Sequence, residues 1–312
     1  MKRFIIKVII FLFPAIALFL LGLFLPTTPR ASKSLLMASI NKNLLLKETQ
    51  PPRIIFVGGS NLSFGLNSQM IKDSLQINPI NTAIHASIGI KFMLDNTLEY
   101  VQNGDIIVLV PEYSHFYRSL NYGSEELMRT IFDVDLKNIK DLNVFQIVNI
   151  IPYLPKYSLT KFKINEYLNV KESDVYSVNS FNEFGDTYTH WVMEQQEFAP
   201  FGAINAEFNS DVLKYIEEFN IDLKRKGATL LVSFPGFQET SFNKSKIAIQ
   251  KLKDELLKSS LLIIGTPDRY KIPDSLMFDT PYHLNKKGVD YRTKLLIEDI
   301  EKARTHNSVY KK

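Results

Sequence analysis

Cysteine is absent from the 312 residues. That excludes disulfides, thiolate metal centres, a cysteine nucleophile and the cysteine of a bacterial lipid anchor. It suits an extracytoplasmic protein without requiring one. Excess charge is also scarce. The 37 basic residues set against 33 acidic ones leave a net +4, too little to argue for nucleic acid as a partner. No run of like charges offers a polyelectrolyte surface either. Metal-ligand spacings, a phosphate-binding glycine loop and a dinucleotide fingerprint are all missing, so neither cofactor nor metal is implied. No repeat or low-complexity tract occurs. What remains is 45% apolar and 22% charged, the composition of an ordinary globular body.

The N-terminus is the first departure from that average. Lys2, Arg3 and Lys7 precede Val8 to Leu25, a stretch without a charge. As a helix it is roughly 27 Å long, close to the hydrocarbon thickness of a bilayer. Pro14 and Gly22 are tolerated in such helices. An uncleaved anchor is the expectation. The rivals are a cleaved signal peptide, for which Pro29-Arg30-Ala31 is a poor site, and a buried core helix. Arg30, Lys33 and Lys42 nearly balance the basic residues before the span. The very short basic tail still favours the N-terminus inside and the body outside, extracytoplasmic or periplasmic.

Residues 1–30 are thus read as a transmembrane anchor. Residues 31–52 read as a tether closed by Pro51-Pro52, with a short amphipathic helix over Ser34 to Leu46. From residue 53 strands and helices alternate. Strands are expected at Arg53–Val57, Pro79–Ala86, Ile106–Val110, Ala228–Phe234 and Leu261–Ile264. Helices are expected at Asn67–Leu75, Gly89–Val101, Asp211–Lys226, Ser241–Lys258 and Leu284–Ala303. Continuous apolar runs such as Ile106–Val110 mark parallel strands covered on both faces. The pattern implies a mostly parallel, five-stranded, three-layer α/β domain over 53–303. It is interrupted at about 113–209 by a Tyr-, Phe- and Asn-rich stretch, read as an inserted helical cap. Residues 304–312 read as a tail.

The chemistry gathers at the carboxyl ends of these strands, where open parallel sheets bind ligands. "FVGGSNLSFG" (56–65) ends the first strand in Gly58-Gly59 and presents Ser60 on a tight turn. A serine hydroxyl needs a general base. Of the five histidines, His283 has the context for it, within "FDTPYHLNKKG" (278–288) ahead of the last helix. Asp279, four residues earlier, can accept the Nδ1 proton of His283 and orient the ring. Each residue also has a plainer reading. Ser60 would be a loop serine, His283 a capping histidine, Asp279 a turn residue and Gly89 a helix-start glycine. Glu112 would be an acceptor for loop amides, and His85, His115 and His190 structural histidines.

Together with "NTAIHASIG" (81–89), these stretches resemble the SGNH (GDSL-like) hydrolase superfamily over about residues 53 to 300. The resemblance implies a flavodoxin-like α/β/α sandwich and a Ser60–His283–Asp279 acyl-enzyme mechanism. It also implies oxyanion or substrate-binding roles for Gly89, Asn61 and Glu112. Two positions depart from the family pattern. Glu112, in "VPEYSHF", stands where an Asn side chain normally faces the oxyanion. Asp279 precedes His283 by four residues where many members have three, and a bulge at Pro281 can absorb the extra one. A membrane-anchored member resembles proteins that acylate or deacylate cell-surface glycans and teichoic acids. The expected activity is a serine ester hydrolase or O-acyltransferase acting on an acylated glycan or envelope polymer. A multi-pass acyl-exporting membrane protein is an expected partner. The alternative is a non-catalytic binding or assembly subunit of a surface-polysaccharide machine.

Overall fold

A computed structural model describes residues 1–309. The apolar N-terminus forms one helix, α1 (Lys2–Phe24), with Pro14 inside it. Among the described residues it alone is long and apolar enough to cross a membrane. Most of α1 is exposed, but Gly22 and Leu23 near its end are buried against the rest of the protein.

The stretch expected to be a tether is folded. Two short 3-10 turns lead into α2 (Ala38–Glu48). Thr27 Oγ1 donates to the Asp133 carbonyl at 2.6 Å, Lys33 Nζ donates to the Val170 carbonyl at 3.0 Å, and Ser34 bridges Ser177. Lys42, on α2, is buried and donates to the carbonyls of Asn81, Ala83 and Gly185. Buried donors and acceptors must be paired, so these contacts bind α2 to both the α/β body and the cap.

The body follows as β1 (Arg53–Gly58), α3 (Ser60–Ser63), α4 (Ser68–Leu75), β2 (Asn78–Asn81), α5 (Ile90–Tyr100) and β3 (Ile106–Val110). The cap contributes α6 (Glu125–Arg129), α7 (Val144–Ile150) and α8 (Leu154–Thr160), joined by a π-helical turn (Thr130–Val134), short 3-10 stretches and long irregular segments. It is less regularly helical than its sequence suggested. The chain then completes the body with α9 (Asp211–Arg225), β4 (Thr229–Val232), β5 (Phe237–Gln238), α10 (Glu239–Lys244), α11 (Lys246–Lys258), β6 (Lys271–Ile272) and α12 (Lys286–Val309).

The main sheet has the order β2-β1-β3-β4, all parallel. β1 is buried throughout and β3 almost so, which the apolar runs Ile54–Val57 and Ile106–Val110 within them require of central strands. On one side α5 packs on α9, and on the other α4 packs on α12, giving three layers. The α9 stripe Val212, Ile216, Phe219 and Leu223 is buried at helical spacing. Arg53, at the start of β1, forms a buried ion pair with Asp105 and also donates to the carbonyls of Leu46 and Tyr100.

Three boundaries differ from expectation. The fifth strand is reduced to one parallel bridge, Val232 to Ile263. β2 stops at Asn81, because the Asn81 side chain accepts from the Ala83 amide and donates to the Leu62 carbonyl, turning the chain toward the sheet edge. The segment expected as a tail continues α12 to Val309, and the rest of it, 310–312, lies outside the described residues.

Candidate active site

Sheet register brings the first two residues together. Gly58 of β1 pairs with Val110 of β3. Ser60 and Glu112 each lie two residues beyond that pair, so both emerge at the same point of the carboxyl edge. Ser60 Oγ donates to Glu112 Oε1 at 3.2 Å, and the Asn61 amide donates to the same oxygen at 3.2 Å. The Ser60 amide faces that carboxyl as well. Gly59 makes the approach possible: a Cβ there would sit 2.7 Å from Glu112 Oε1 and 2.9 Å from Ala86 Cα.

Glu112 is buried, and burial pushes its carboxyl up to about 7 against the opposing pull of these hydrogen bonds. Its backbone is fixed from behind. The Glu112 N–H donates to His115 Nδ1 at 3.0 Å, and His115 Nε2 meets the Ala86 carbonyl at 2.9 Å. The acceptor role of Nδ1 makes His115 the neutral Nε2–H tautomer. Burial, which lowers His115 to about 4, keeps it so. His115 therefore positions Glu112 and exchanges no proton.

His283 reaches the same edge from the loop before α12. The extra residue between Asp279 and His283 is taken up in a turn, with the His283 amide donating to the Thr280 carbonyl at 3.2 Å and Pro281 at its second position. His283 Nδ1 lies 2.8 Å from Asp279 Oδ1. Tyr176 donates to the other Asp279 oxygen and lies 3.3 Å from the same ring nitrogen. Burial works to raise Asp279, but the hydrogen bond and charge of His283 and the Tyr176 hydroxyl bring it below the usual carboxylate value. Phe64 stacks on the imidazole, with centroids 4.1 Å apart and planes 11° apart. With Nδ1 committed to Asp279, Nε2 is the nitrogen left to take a proton.

Ser60 and His283 line one cavity of about 360 Å³, together with Phe64, His85, Tyr176 and Arg129. Ser34, Leu35 and Leu36, from the segment after α1, form part of its wall. The Ser60 hydroxyl is bonded to Glu112 rather than to His283. To serve the imidazole, that hydroxyl must first give up its bond to Glu112.

Gly89 is a correction. Its amide, expected to face the oxyanion, donates instead to the Ala86 carbonyl at 2.9 Å and closes a 3-10 turn. Gly89 is glycine because its φ is +86° and a Cβ would meet the Gly123 amide nitrogen at 2.4 Å. Asn61 contributes its backbone N–H. Its side chain turns away, donating to the Val110 carbonyl at 3.3 Å. His190 is buried in the cap with Nε2 on the Leu284 carbonyl at 3.0 Å, and burial lowers it to about 4. His85 accepts from the Ser87 amide at 3.1 Å, and burial lowers it too. Sequence reasoning missed Tyr176, Phe64 and Arg129. Phe64, one helical turn after Ser60, carried a spacing signal, whereas Tyr176 and Arg129 come from the cap and carried none.

No protein-family model and no curated protein matches the chain. Among solved structures, the crystal structure of protein YxiM from Bacillus subtilis is similar at a TM-score of 0.35 and 16% identity, covering 80% of this chain and 56% of that one. The chain thus spans little more than half the length of that protein. A likeness of this size identifies neither a reaction nor a substrate.

Proposed function

We propose that the chain is a membrane-anchored serine ester hydrolase or O-acyltransferase of the SGNH-like kind, acting outside the membrane on acylated cell-surface glycans. The observation that carries this reading is the His283–Asp279 pair at 2.8 Å sharing one cavity with Ser60. Ser60 Oγ attacks the ester carbonyl while His283 Nε2 takes its proton. His283 then returns that proton to the leaving alcohol, and an acyl-Ser60 remains. Water or a glycan hydroxyl, deprotonated by the same imidazole, resolves it.

The oxyanion falls to the amides of Ser60 and Asn61 and to Glu112. While charged, the Glu112 carboxylate occupies those amides and opposes a developing negative charge. Once protonated it holds them more weakly and supplies an O–H donor of its own, as a neutral carboxylic acid can in a buried site. A carboxyl pushed to about 7 moves between these states near neutral pH.

Transfer is favoured over hydrolysis by the wall around the cavity. Arg129 and Tyr176 of the cap and Ser34 to Leu36 wall part of the cavity beside Ser60, and a wall that limits access of water would let a bound alcohol compete. The acyl donor would be delivered by a multi-pass membrane protein. A fluorophosphonate probe tests the reading. Labelling is expected at Ser60, to be lost in Ser60→Ala and slowed strongly in His283→Ala. A folded chain that is neither labelled nor active on any aryl ester is instead a non-catalytic assembly subunit. Turnover of an activated acyl ester with concentrated oligosaccharide then separates transfer, seen as acylated sugar, from hydrolysis, seen as free acid alone.

A further inference from the structure

The cap leaves a group of large apolar side chains uncovered. Val144 and Val148 on α7 are 63% and 59% exposed, and Ile151 is 51% exposed. On and after α8, Leu159, Ile164 and Leu168 are 56%, 76% and 59% exposed. These residues are not the inward face of the cap, since Gln146, Ile150, Tyr157 and Ser158 fill that role. α7 is thus apolar on its outer side where a helix facing water would be polar. A group of this kind marks an interaction surface.

The N-terminal helix says what covers it. Ser158 of α8 donates to the Phe19 carbonyl of α1 at 2.8 Å, and Gly22 lies so close that a Cβ would meet Ser158 Oγ at 2.2 Å. Leu23 is buried with Leu142, Ile150 and Tyr157, and Phe24 meets Phe132 at 6.4 Å between centroids. Leu20, Leu21 and Phe24 remain exposed beside these contacts. Phe19 lies six residues before Leu25, the end of the apolar run, which is about 9 Å along a helix. A cap helix bonded at Phe19 therefore sits about 9 Å inside the level at which α1 stops being apolar. That is the depth at which amphipathic interfacial helices lie, roughly 5–10 Å into the headgroup boundary.

The joint is fixed. Lys161 Nζ is held by Asp133 at 2.7 Å and lies 3.3 Å from the Pro26 carbonyl, while Thr27 bonds the Asp133 carbonyl. The cap cannot leave the level set by α1 without breaking these contacts, of which the Lys161–Asp133 pair is buried. Exposed Lys137 and Lys140 precede this stretch in sequence, and exposed Lys163 lies within it, as suits lipid phosphates at its edge.

We propose that residues 144–168 form a monotopic membrane surface that lies in the bilayer interface alongside α1, with its exposed apolar side chains among the lipids. The protein then holds its membrane by a spanning helix and a broad embedded face together.

The absence of cysteine makes the test direct. Val148→Cys and Ile164→Cys in the full chain are labelled with a nitroxide and reconstituted in phosphatidylcholine–phosphatidylglycerol vesicles. Phe11→Cys in α1 and Ile247→Cys, at a site 90% exposed on α11, are the references. Collision rates with oxygen, which concentrates in lipid, and with a water-soluble nickel chelate report depth. The expected oxygen-to-nickel ratios at 148 and 164 are severalfold above that at 247 and approach that at 11. Ratios equal to that at 247 would overturn the proposal. So would low access to both reagents with dipolar broadening, which would make the face a contact between two copies. A water-exposed label at 11 would remove the spanning helix, and the proposal with it.

Discussion

Replacing Glu112 by Gln isolates the least usual group of the site. Gln keeps an Oε1 acceptor for the Ser60 hydroxyl and the Asn61 amide but never ionises. Burial raises the carboxyl from 4.5 to about 7. At 1.36 kcal/mol per pKa unit this is roughly 3 kcal/mol. Because the folded-state value lies above the unfolded one, the associated stability is complete below about pH 4.5 and is lost as pH rises through about 7. Glu112→Gln should therefore match the parent near pH 4.5 and exceed it by up to roughly 3 kcal/mol at pH 9. In thermal unfolding followed by intrinsic fluorescence, that is an upward shift of roughly 6 °C at pH 9. Activity should follow the same proton. The parent should lose esterase rate as pH rises through about 7, while Glu112→Gln stays active and lacks that alkaline limb. An unaltered pH slope of stability would refute the raised carboxyl. A folded but inactive Glu112→Gln at every pH would refute the donor role and make Glu112 the base for Ser60.

Ser60→Ala and His283→Ala should each abolish turnover of a short-chain aryl ester and leave circular dichroism unchanged. Asp279→Ala should cost roughly 10- to 10⁴-fold in kcat, since Tyr176 and the Phe64 stack still hold the ring. An unchanged rate would remove Asp279 from the mechanism. Gly59→Ala places a Cβ against Glu112 and the Ala86 backbone, so it should lower stability by roughly 1–3 kcal/mol in urea titrations and reduce activity together with it. Lys42→Met leaves three buried carbonyls without their donor and should destabilise by at least roughly 1–3 kcal/mol, with residues 26–52 becoming sensitive to protease.

The sheet was legible because strands covered on both faces must be apolar, and the runs Ile54–Val57 and Ile106–Val110 are. Their register was not written in the sequence, yet register is what sets Ser60 beside Glu112. The Asp279–His283 spacing was legible as a pair, since a turn at Pro281 can bring residues four apart into contact. Gly89 misled for a physical reason. A glycine at a helix start can mark either a free amide or a positive φ in a crowded turn, and here it is the second. Tyr176 could not have been found: it meets Asp279 across 103 positions of chain, from a cap without periodicity. The segment after α1 read as a linker for its prolines, whereas its order comes from side-chain bonds to distant carbonyls.

That last segment sets how far the α/β body can move from the end of α1. A flexible chain as long as residues 26–52 would let its cargo wander roughly 30 Å, sweeping a volume above its attachment point. Here the same stretch is bonded to the cap and to the sheet, and Ser34 to Leu36 serve as cavity wall. The body is mounted where a linker would have left it leashed. On the proposed reading, the working height would be set by this joint, and a substrate would enter the reaction by the position of its acyl group along the polymer. Modification would then be confined to a layer of fixed elevation, and lengthening this stretch with flexible residues would unseat the cavity wall before it extended the reach.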